Sequence, residues 1–306
     1  MSIQKTLVVV VGPTAVGKTA TAIFLAQHFH TEIISADSRQ FYREMTIGTA
    51  KPDADELAAA SHHFIDSHSI EEDYSAGDFE RDALQLLDEL FQKHDVVIMV
   101  GGSGLFIRAV CEGLDDLPKA PEGVRQRLNA EFAEQGLAPL QDRLQQVDPD
   151  YYAIADVDNP QRVIRALEVY EAAGKPISSF QKKNIAARPF RTVTIGVQMD
   201  RERLYERINL RVDKMMSQGL LHEVQNLLPY RYKPALLTVG YAEIFDCLDG
   251  KLTLEEAVDK IKQNSRRYAK RQITWFKKYG HTTWFESEDK GGICAFLQER
   301  IGEGGG

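Results

Sequence analysis

The sequence predicts an α/β protein, a parallel β-sheet flanked by helices and carrying a helical insertion, on three observations. Short, mostly apolar runs of strand length, Leu7–Val11, Glu32–Ala36, Val96–Val100 and Thr192–Gln198, alternate with helical patterns. The first and third runs end in glycine-containing turns and the second in a polar cluster, the layout of ligand-binding strand ends in open parallel sheets. Between about 115 and 189 the patterns are helical and offer no strand. The expected organisation is therefore a core of 1–114 and 190–306, with an inserted helical domain over 115–189.

Gly12–Thr19 reads Gly12, Pro13, Thr14, Ala15, Val16, Gly17, Lys18, Thr19, which is G-x-x-x-x-G-K-[ST] between a strand and a helix. Glycines let successive backbone N–H groups turn inward, the following helix adds its positive end, and Lys18 adds a mobile charge. The Thr19 hydroxyl is the candidate Mg²⁺ ligand. A diphosphate or triphosphate suits this cradle, and the loop alone does not say which molecule carries it. Lys18–His28 then reads as a helix, with Ala22, Leu25, Ala26 and Phe29 at helical spacing.

The second strand ends in Asp37, Ser38, Arg39 and Gln40. Asp37 has three readings: a Mg²⁺-holding acid, a general base, or the N-cap of whatever follows. Thr46–Pro52 reads as a loop shaped by Gly48 and Pro52, followed by a helical Ala54–Ala60. His62 and His63 are adjacent, so in a strand they point to opposite faces, and structural or substrate contacts outweigh a metal role. Ala76–Gln92 is an amphipathic helix. Val96–Val100 leads into Gly101-Gly102-Ser103-Gly104, where Ser103 offers a hydroxyl near the rim that carries Asp37. No acid ends that strand, which leaves Asp37 without a competitor.

In the insertion, helices are expected over Pro121–Gln135, Leu137–Val147 and Pro160–Ala173. The last is punctuated by Asn159 as N-cap, Pro160 at the first position and Gly174 beyond its end. Arg162 and Arg165 share a face and suit a bidentate diphosphate clamp, with salt bridges to Glu168 or Asp158 as the ordinary alternative. Beyond Thr192–Gln198 come a largely helical Asp200–Leu228, a helix near Thr238–Asp246, and a capping box at Thr253–Glu256 opening a long helix to about Lys278. His281–Glu286 is a candidate fifth strand, Ile293–Arg300 a closing helix, and Gly302–Gly306 an expected disordered tail.

The 306 residues, 43% hydrophobic and 27% charged, suffice for a large core. Apolar runs are too short for a membrane span of about 20 residues, and the first residues lack a signal-peptide layout, so a cytoplasmic, membrane-free protein is the expectation; a monomer is also expected, on no particular residue. Cys111, Cys247 and Cys294 are odd in number and far apart, which suggests buried thiols rather than disulfides or zinc. The net charge of −8 argues against indiscriminate coating of nucleic acid. Two tracts nevertheless lack acids: 172–199, with Lys175, Lys182, Lys183, Arg188 and Arg191, and 260–280, with eight lysines and arginines. They read either as a confined polyanion-binding surface or as solvated faces.

Six stretches in order resemble the bacterial tRNA dimethylallyltransferases, also called tRNA isopentenyltransferases: Gly12–Thr19, Ser35–Gln40, Ile47–Pro52, Gly101–Leu105, Asp158–Glu168 and Tyr268–Phe276. The resemblance implies a P-loop kinase-like core and transfer of the dimethylallyl group of dimethylallyl diphosphate to N6 of adenosine 37, next to the tRNA anticodon. Carried over by motif, Gly12–Thr19 would hold the diphosphate, Asp37 would be the general base, and Ser103, where the family usually has Thr, would keep a catalytic hydroxyl. Asp37, Ser38, Arg39, Gln40, Ser103, Arg125, Gln161, Arg162, Val163, Ile164 and Arg165 would meet the tRNA anticodon stem-loop. The competing readings are an ATP-binding small-molecule kinase with Asp37 as base, and a nucleotide-switched binding module. The cationic long helix and the missing acid after Val100 favour prenyl transfer.

Overall fold

The computed structural model describes residues 4–181, 185–278 and 281–302, and the chain separates into two compact units, 1–112 with 187–306, and 113–186. Lys182 and Lys183 of the first acid-free tract, and residues 303–306 of the expected tail, lie outside the described residues.

The first unit is built on one sheet, with six strands among the described residues: β1 (Thr6–Val11), β2 (Ile33–Ser35), β3 (His62–His63), β4 (Val96–Val100), β5 (Arg191–Gln198) and β6 (Thr282–Glu286). Their order is β3-β2-β4-β1-β5-β6 and every pairing is parallel. All six residues of β1 are buried, because helices cover both faces and an unbroken apolar run is what such a position requires. Val8 and Val10 point to one face, against α1 (Lys18–Phe29), α9 (Arg201–Ser217) and α13 (Lys290–Gly302). Leu7, Val9 and Val11 point to the other, against α3 (Ala76–Leu90) and α4 (Gly104–Glu112).

A further apolar cluster joins α9 to α10 (Leu220–Asn226), α11 (Tyr241–Leu248) and α12 (Leu254–Lys278), with Tyr241 and Ile244 fully buried. The short α2 (Ala54–Ala59) is held by a capping box between Asp53 and Glu56. The expected capping box of α12 is present: Thr253 Oγ1 accepts the Glu256 N–H at 3.2 Å while Glu256 Oε2 accepts the Thr253 N–H at 2.8 Å.

The second unit packs α5 (Val124–Gln135), α6 (Ala138–Val147), α7 (Pro149–Ile154) and α8 (Pro160–Ala173) around Leu128, Leu140, Leu144, Ile164 and Leu167. The α5 helix starts at Val124 rather than Pro121, after Gly123 at φ 89°. The sequence reading did not include α7, although its signal was present: Asp148 caps it by accepting the Tyr151 N–H at 3.0 Å, with Pro149 at the first turn. The helical stretch 200–228 is split at Gly219, whose φ of 101° ends α9 and opens α10. The three cysteines are free and half-buried as whole residues; burial pushes the Cys111 thiol up to about 12, so the expectation of buried thiols holds at Cys111.

The carboxyl ends of β2 and β4 approach so closely that a Cβ on Gly101 would lie 2.4 Å from the Ala36 carbonyl oxygen, which is backbone and cannot yield. Gly101→Ala is therefore expected to destabilise the protein by about 1–3 kcal/mol, read by denaturant unfolding; an unchanged midpoint would show that the two strand ends separate freely.

Candidate active site

The Gly12–Thr19 loop follows β1 with Gly12 at φ 151°, Ala15 at φ 65° and Gly17 at φ 104°. A side chain at Gly12 would meet the Val197 carbonyl oxygen at 2.5 Å, so glycine is required for packing against β5 as well as for the turn. Gly17 stands at the N-cap of α1, leaving the amides of that helix end to the loop. The Lys18 ammonium folds back and donates to the Pro13 carbonyl at 2.7 Å. Burial lowers its pKa to about 7; Asp37 opposes the shift and Arg211 adds to it.

Asp37 follows β2 in a tight turn: its Oδ1 accepts the Arg39 N–H at 3.0 Å and its carbonyl accepts the Gln40 N–H at 3.2 Å. No helix begins there, so the N-cap reading gives way to an Asx turn. The Ser38 N–H donates to Ser103 Oγ at 3.0 Å, and Ser103 donates to the Ser38 hydroxyl at 3.0 Å. The hydroxyl after β4 thus braces the turn that carries Asp37, as their common rim suggested. Gln40 Nε2 donates to the Thr49 and Ala50 carbonyls at 3.2 Å each, and Arg39 reaches the Pro234 carbonyl at 3.4 Å. These two side chains are engaged in holding loops.

A cavity of about 840 Å³ runs over Lys18, Thr19, Asp37, the 46–53 loop, Arg207 and Arg211. A smaller one of about 200 Å³ adjoins it, sharing Thr14, Asp37, Arg211 and Tyr268. The Thr19 hydroxyl side chain and the Asp37 carboxylate border the same space. They are oxygen donors suited to a Mg²⁺ that takes its other ligands from phosphate and water. Among the described residues no cluster of three or more His, Cys, Asp or Glu forms a self-sufficient metal cage. His62 borders the cavity with its Nδ1 on the Ala60 carbonyl at 2.8 Å, and His63 pairs with Glu32 at 2.8 Å.

Sequence reasoning missed Arg211, whose Nη1 donates to Thr14 Oγ1 at 3.4 Å. It is one of many charged residues on α9 and nothing local marks it. It also missed the role of Gln272, which bridges two loops: its Oε1 accepts the Thr14 N–H at 2.8 Å and its Nε2 donates to the Gly102 carbonyl at 3.0 Å. Tyr268, one turn earlier on α12, lines both cavities; the residue as a whole is 37% exposed, but desolvation of its hydroxyl end pushes the phenol up to about 12, with Asp37 adding to the shift. The motif around Tyr268–Phe276 was the available signal for both.

The cationic face expected on α12 is narrower than its sequence implies. Lys262 pairs with Asp213 at 2.6 Å and Arg266 with Asn209 at 2.6 Å, both on α9, whereas Arg267, Lys270, Arg271, Lys277 and Lys278 are exposed. In the 172–199 tract, Arg188 donates to Glu80 at 2.6 Å and to the Val110 and Ala109 carbonyls, and Arg191 to the Arg300 carbonyl at 2.6 Å. These two cations hold the fold rather than forming a continuous surface.

In the second unit, Asn159 caps α8 as expected, accepting the Gln161 N–H at 3.0 Å. Glu168 is buried and accepts from Arg125 and Arg165 at 3.3 Å each, while Arg125 also donates to Gln161 Oε1 at 2.8 Å. The salt-bridge alternative thus describes Arg165. Val163 and Ile164, expected among the tRNA contacts, have fully buried side chains that belong to this unit's core; Gln161 and Arg162 are exposed.

A diphosphate brought to Lys18 favours its charged form, so binding at pH 8 is expected to draw in close to one proton at this side chain. The check is calorimetry of inorganic pyrophosphate binding in buffers of different ionisation heat, comparing the protein with Lys18→Met; equal proton uptake by the two would contradict it. The sign for folding is separate: the folded pKa lies below the ordinary 10.5, so Lys18 makes the unliganded protein's stability rise with pH between about 7 and 10.5.

The chain matches the sequence model of the family described as IPP transferase over residues 40–279. It is 53% identical to a tRNA dimethylallyltransferase of Christiangramia forsetii, over 96% of this chain and 98% of the relative, and 49% identical to that of Cytophaga hutchinsonii, over 98% and 99%. Its structure is similar to the crystal structure of the full-length tRNA isopentenylpyrophosphate transferase of Bacillus halodurans, with TM-score 0.73, 40% identity and 98% of both chains covered. A eukaryotic dimethylallyltransferase acting on tRNA shares the fold at TM-score 0.75 and 24% identity, over 97% of this chain and 77% of that one. The glycine-lysine loop and the Asp37 turn border one cavity, Ser103 braces that turn, and the family match covers most of the chain: it belongs to the IPP transferase family.

Proposed function

We propose that the protein transfers the dimethylallyl group of dimethylallyl diphosphate to N6 of adenosine 37 of tRNA, acting as a cytoplasmic monomer. The observation that carries this reading is the Asp37 carboxylate bordering the same cavity as the phosphate loop and Arg211. The adenine amine is a weak nucleophile because its lone pair is delocalised into the ring. Asp37 accepts the N6 proton as the nitrogen bonds to C1 of the donor. The C1–O bond breaks and its electron pair leaves with the diphosphate, whose growing charge meets the loop amides, Lys18 and Arg211. Mg²⁺, held at Thr19 and the diphosphate, would neutralise part of that charge. Ser103 and Ser38 keep the Asp37 turn in place.

The adenine has to leave its stack to reach a cavity floor, the usual way that proteins read loop bases in RNA. Arg125, Gln161, Arg162 and Arg165 in the second unit, with the exposed cations of α12, suit the anticodon stem-loop phosphates, which position an RNA without specifying its sequence. A tRNA substrate supports the cytoplasmic location. Among the described residues no helix is long and apolar enough to cross a membrane. Family membership leaves the kinase alternative without support.

Incubation with labelled dimethylallyl diphosphate, with and without unmodified tRNA, tests the reading: label should enter tRNA, and ATP should not be turned over. Asp37→Asn retains an oxygen for the Arg39 N–H and is expected to lower turnover by about 10²–10⁴, with tRNA affinity within twofold. Weakened tRNA binding at an unchanged rate per bound complex would remove Asp37 from the role of base.

A further inference from the structure

One carboxylate outside the site described so far is tied to it through backbone alone. Glu223 on α10 accepts three successive main-chain donors of the 46–48 loop: the Thr46 and Ile47 N–H groups on Oε2 at 3.0 and 2.7 Å, and the Gly48 N–H on Oε1 at 3.0 Å. The Tyr241 hydroxyl donates to the same Oε1 at 2.7 Å. Tyr241 is fully buried, and its ring fills the place a side chain at Gly48 would take, with a ring carbon 2.5 Å from an ideal Cβ. The loop is thus held by a charge-assisted clamp behind and a tyrosine ring beneath. On its far side Gln40 grips the Thr49 and Ala50 carbonyls.

The clamped backbone is a wall. Gly48 and Thr49 border the 200 Å³ cavity, whose other lining includes Val212, Met215, Val239 and Ile261, with Asp37, Thr14 and Arg211 at its polar side. The apolar side of this pocket, opposite the grip on a leaving diphosphate and a proton acceptor, is where the hydrocarbon of an allylic donor belongs. At about 30 Å³ per water-sized group, such a volume takes roughly six or seven non-hydrogen atoms, so five carbons fit within it, whereas ten would have to extend into the adjoining larger cavity or displace a wall.

We propose that Glu223 is a positioning and specificity-determining residue: by fixing the 46–48 backbone against Tyr241 it keeps this pocket too short for allylic donors beyond five carbons. The proposal rests on the prenyl-transfer reading. Glu223→Ala removes the clamp. Glu223→Gln keeps the shape but sets an amide NH₂ or a neutral oxygen against donors that now share two anionic oxygens. Met215→Ala enlarges the same pocket from α9 and removes none of the clamp's hydrogen bonds.

The experiment compares kcat/KM for dimethylallyl and geranyl diphosphate on unmodified tRNA, with inorganic pyrophosphate affinity and thermal melting as companions. The unaltered protein should prefer the shorter donor by about 10² or more. Glu223→Ala should narrow that ratio at least tenfold through increased use of geranyl diphosphate, with pyrophosphate affinity within twofold, and Glu223→Gln should fall between. If Glu223→Ala does not fold, Glu223→Gln and Met215→Ala decide. An unchanged ratio in Glu223→Gln, with both donors slowed alike, shows a structural role only and overturns the proposal, as does an unchanged ratio in Met215→Ala, which would place the hydrocarbon elsewhere. If the unaltered protein transfers neither group to tRNA, the prenyl-transfer reading itself fails, a result distinct from a flat ratio among active variants.

Discussion

Lys18 and Arg211 are two cations drawn out of bulk water around one carboxylate, Asp37, and the architecture of the first unit follows from holding that charge set together. Burial lowers the pKa of both cations, and Asp37 opposes the shift at each. In the proposed reaction such a charge set would gain from an arriving polyanion: a diphosphate would replace the water that the cations have lost and restore their preference for charge. The same low-dielectric setting strengthens the interaction with charge that develops on the leaving group.

Nothing in the phosphate loop itself could keep those groups in register. The parallel sheet brings the carboxyl ends of β1, β2 and β4 together, and residues distant in sequence lock them. Gln272 on α12 ties Thr14 after β1 to Gly102 after β4. Ser103 after β4 ties itself to Ser38 after β2. Arg211 on α9 reaches Thr14. Each bond joins elements that separate strands deliver, so a change in one strand's position would be felt at the Gly12–Thr19 loop, Asp37 and Arg211 at once. Glu223 extends the same logic to the 46–48 loop, where backbone rather than side chain forms the wall.

The second unit shows a different economy of charge. Glu168 is buried in a helical core and is compensated by Arg125 and Arg165, and Arg125 also aligns Gln161. Removing either arginine would leave the carboxylate undercompensated, so these cations stabilise their own unit besides any part in holding RNA. That dual engagement explains why a motif read as a ligand clamp turns out, at Arg165, to be a structural ion pair. Val163 and Ile164 lie in the same motif because α8 needs an apolar face to pack on α5 and α6.

What the sequence determined by itself is local: the strand-turn-helix of the phosphate loop, the acid after β2, the Asn159 cap, the Thr253 capping box and the alternation of strands and helices. These depend on backbone preferences and on spacing within a few residues, and such preferences are written in contiguous sequence. Tertiary structure decided the rest. It chose an Asx turn over a helix cap for Asp37, turned Lys262 and Arg266 toward α9 rather than solvent, brought Gln272 and Arg211 to Thr14, and made Glu223 an anchor for three amides. Those outcomes join residues far apart in the chain, and a charged side chain on a helix carries no local mark of the partner that packing will give it.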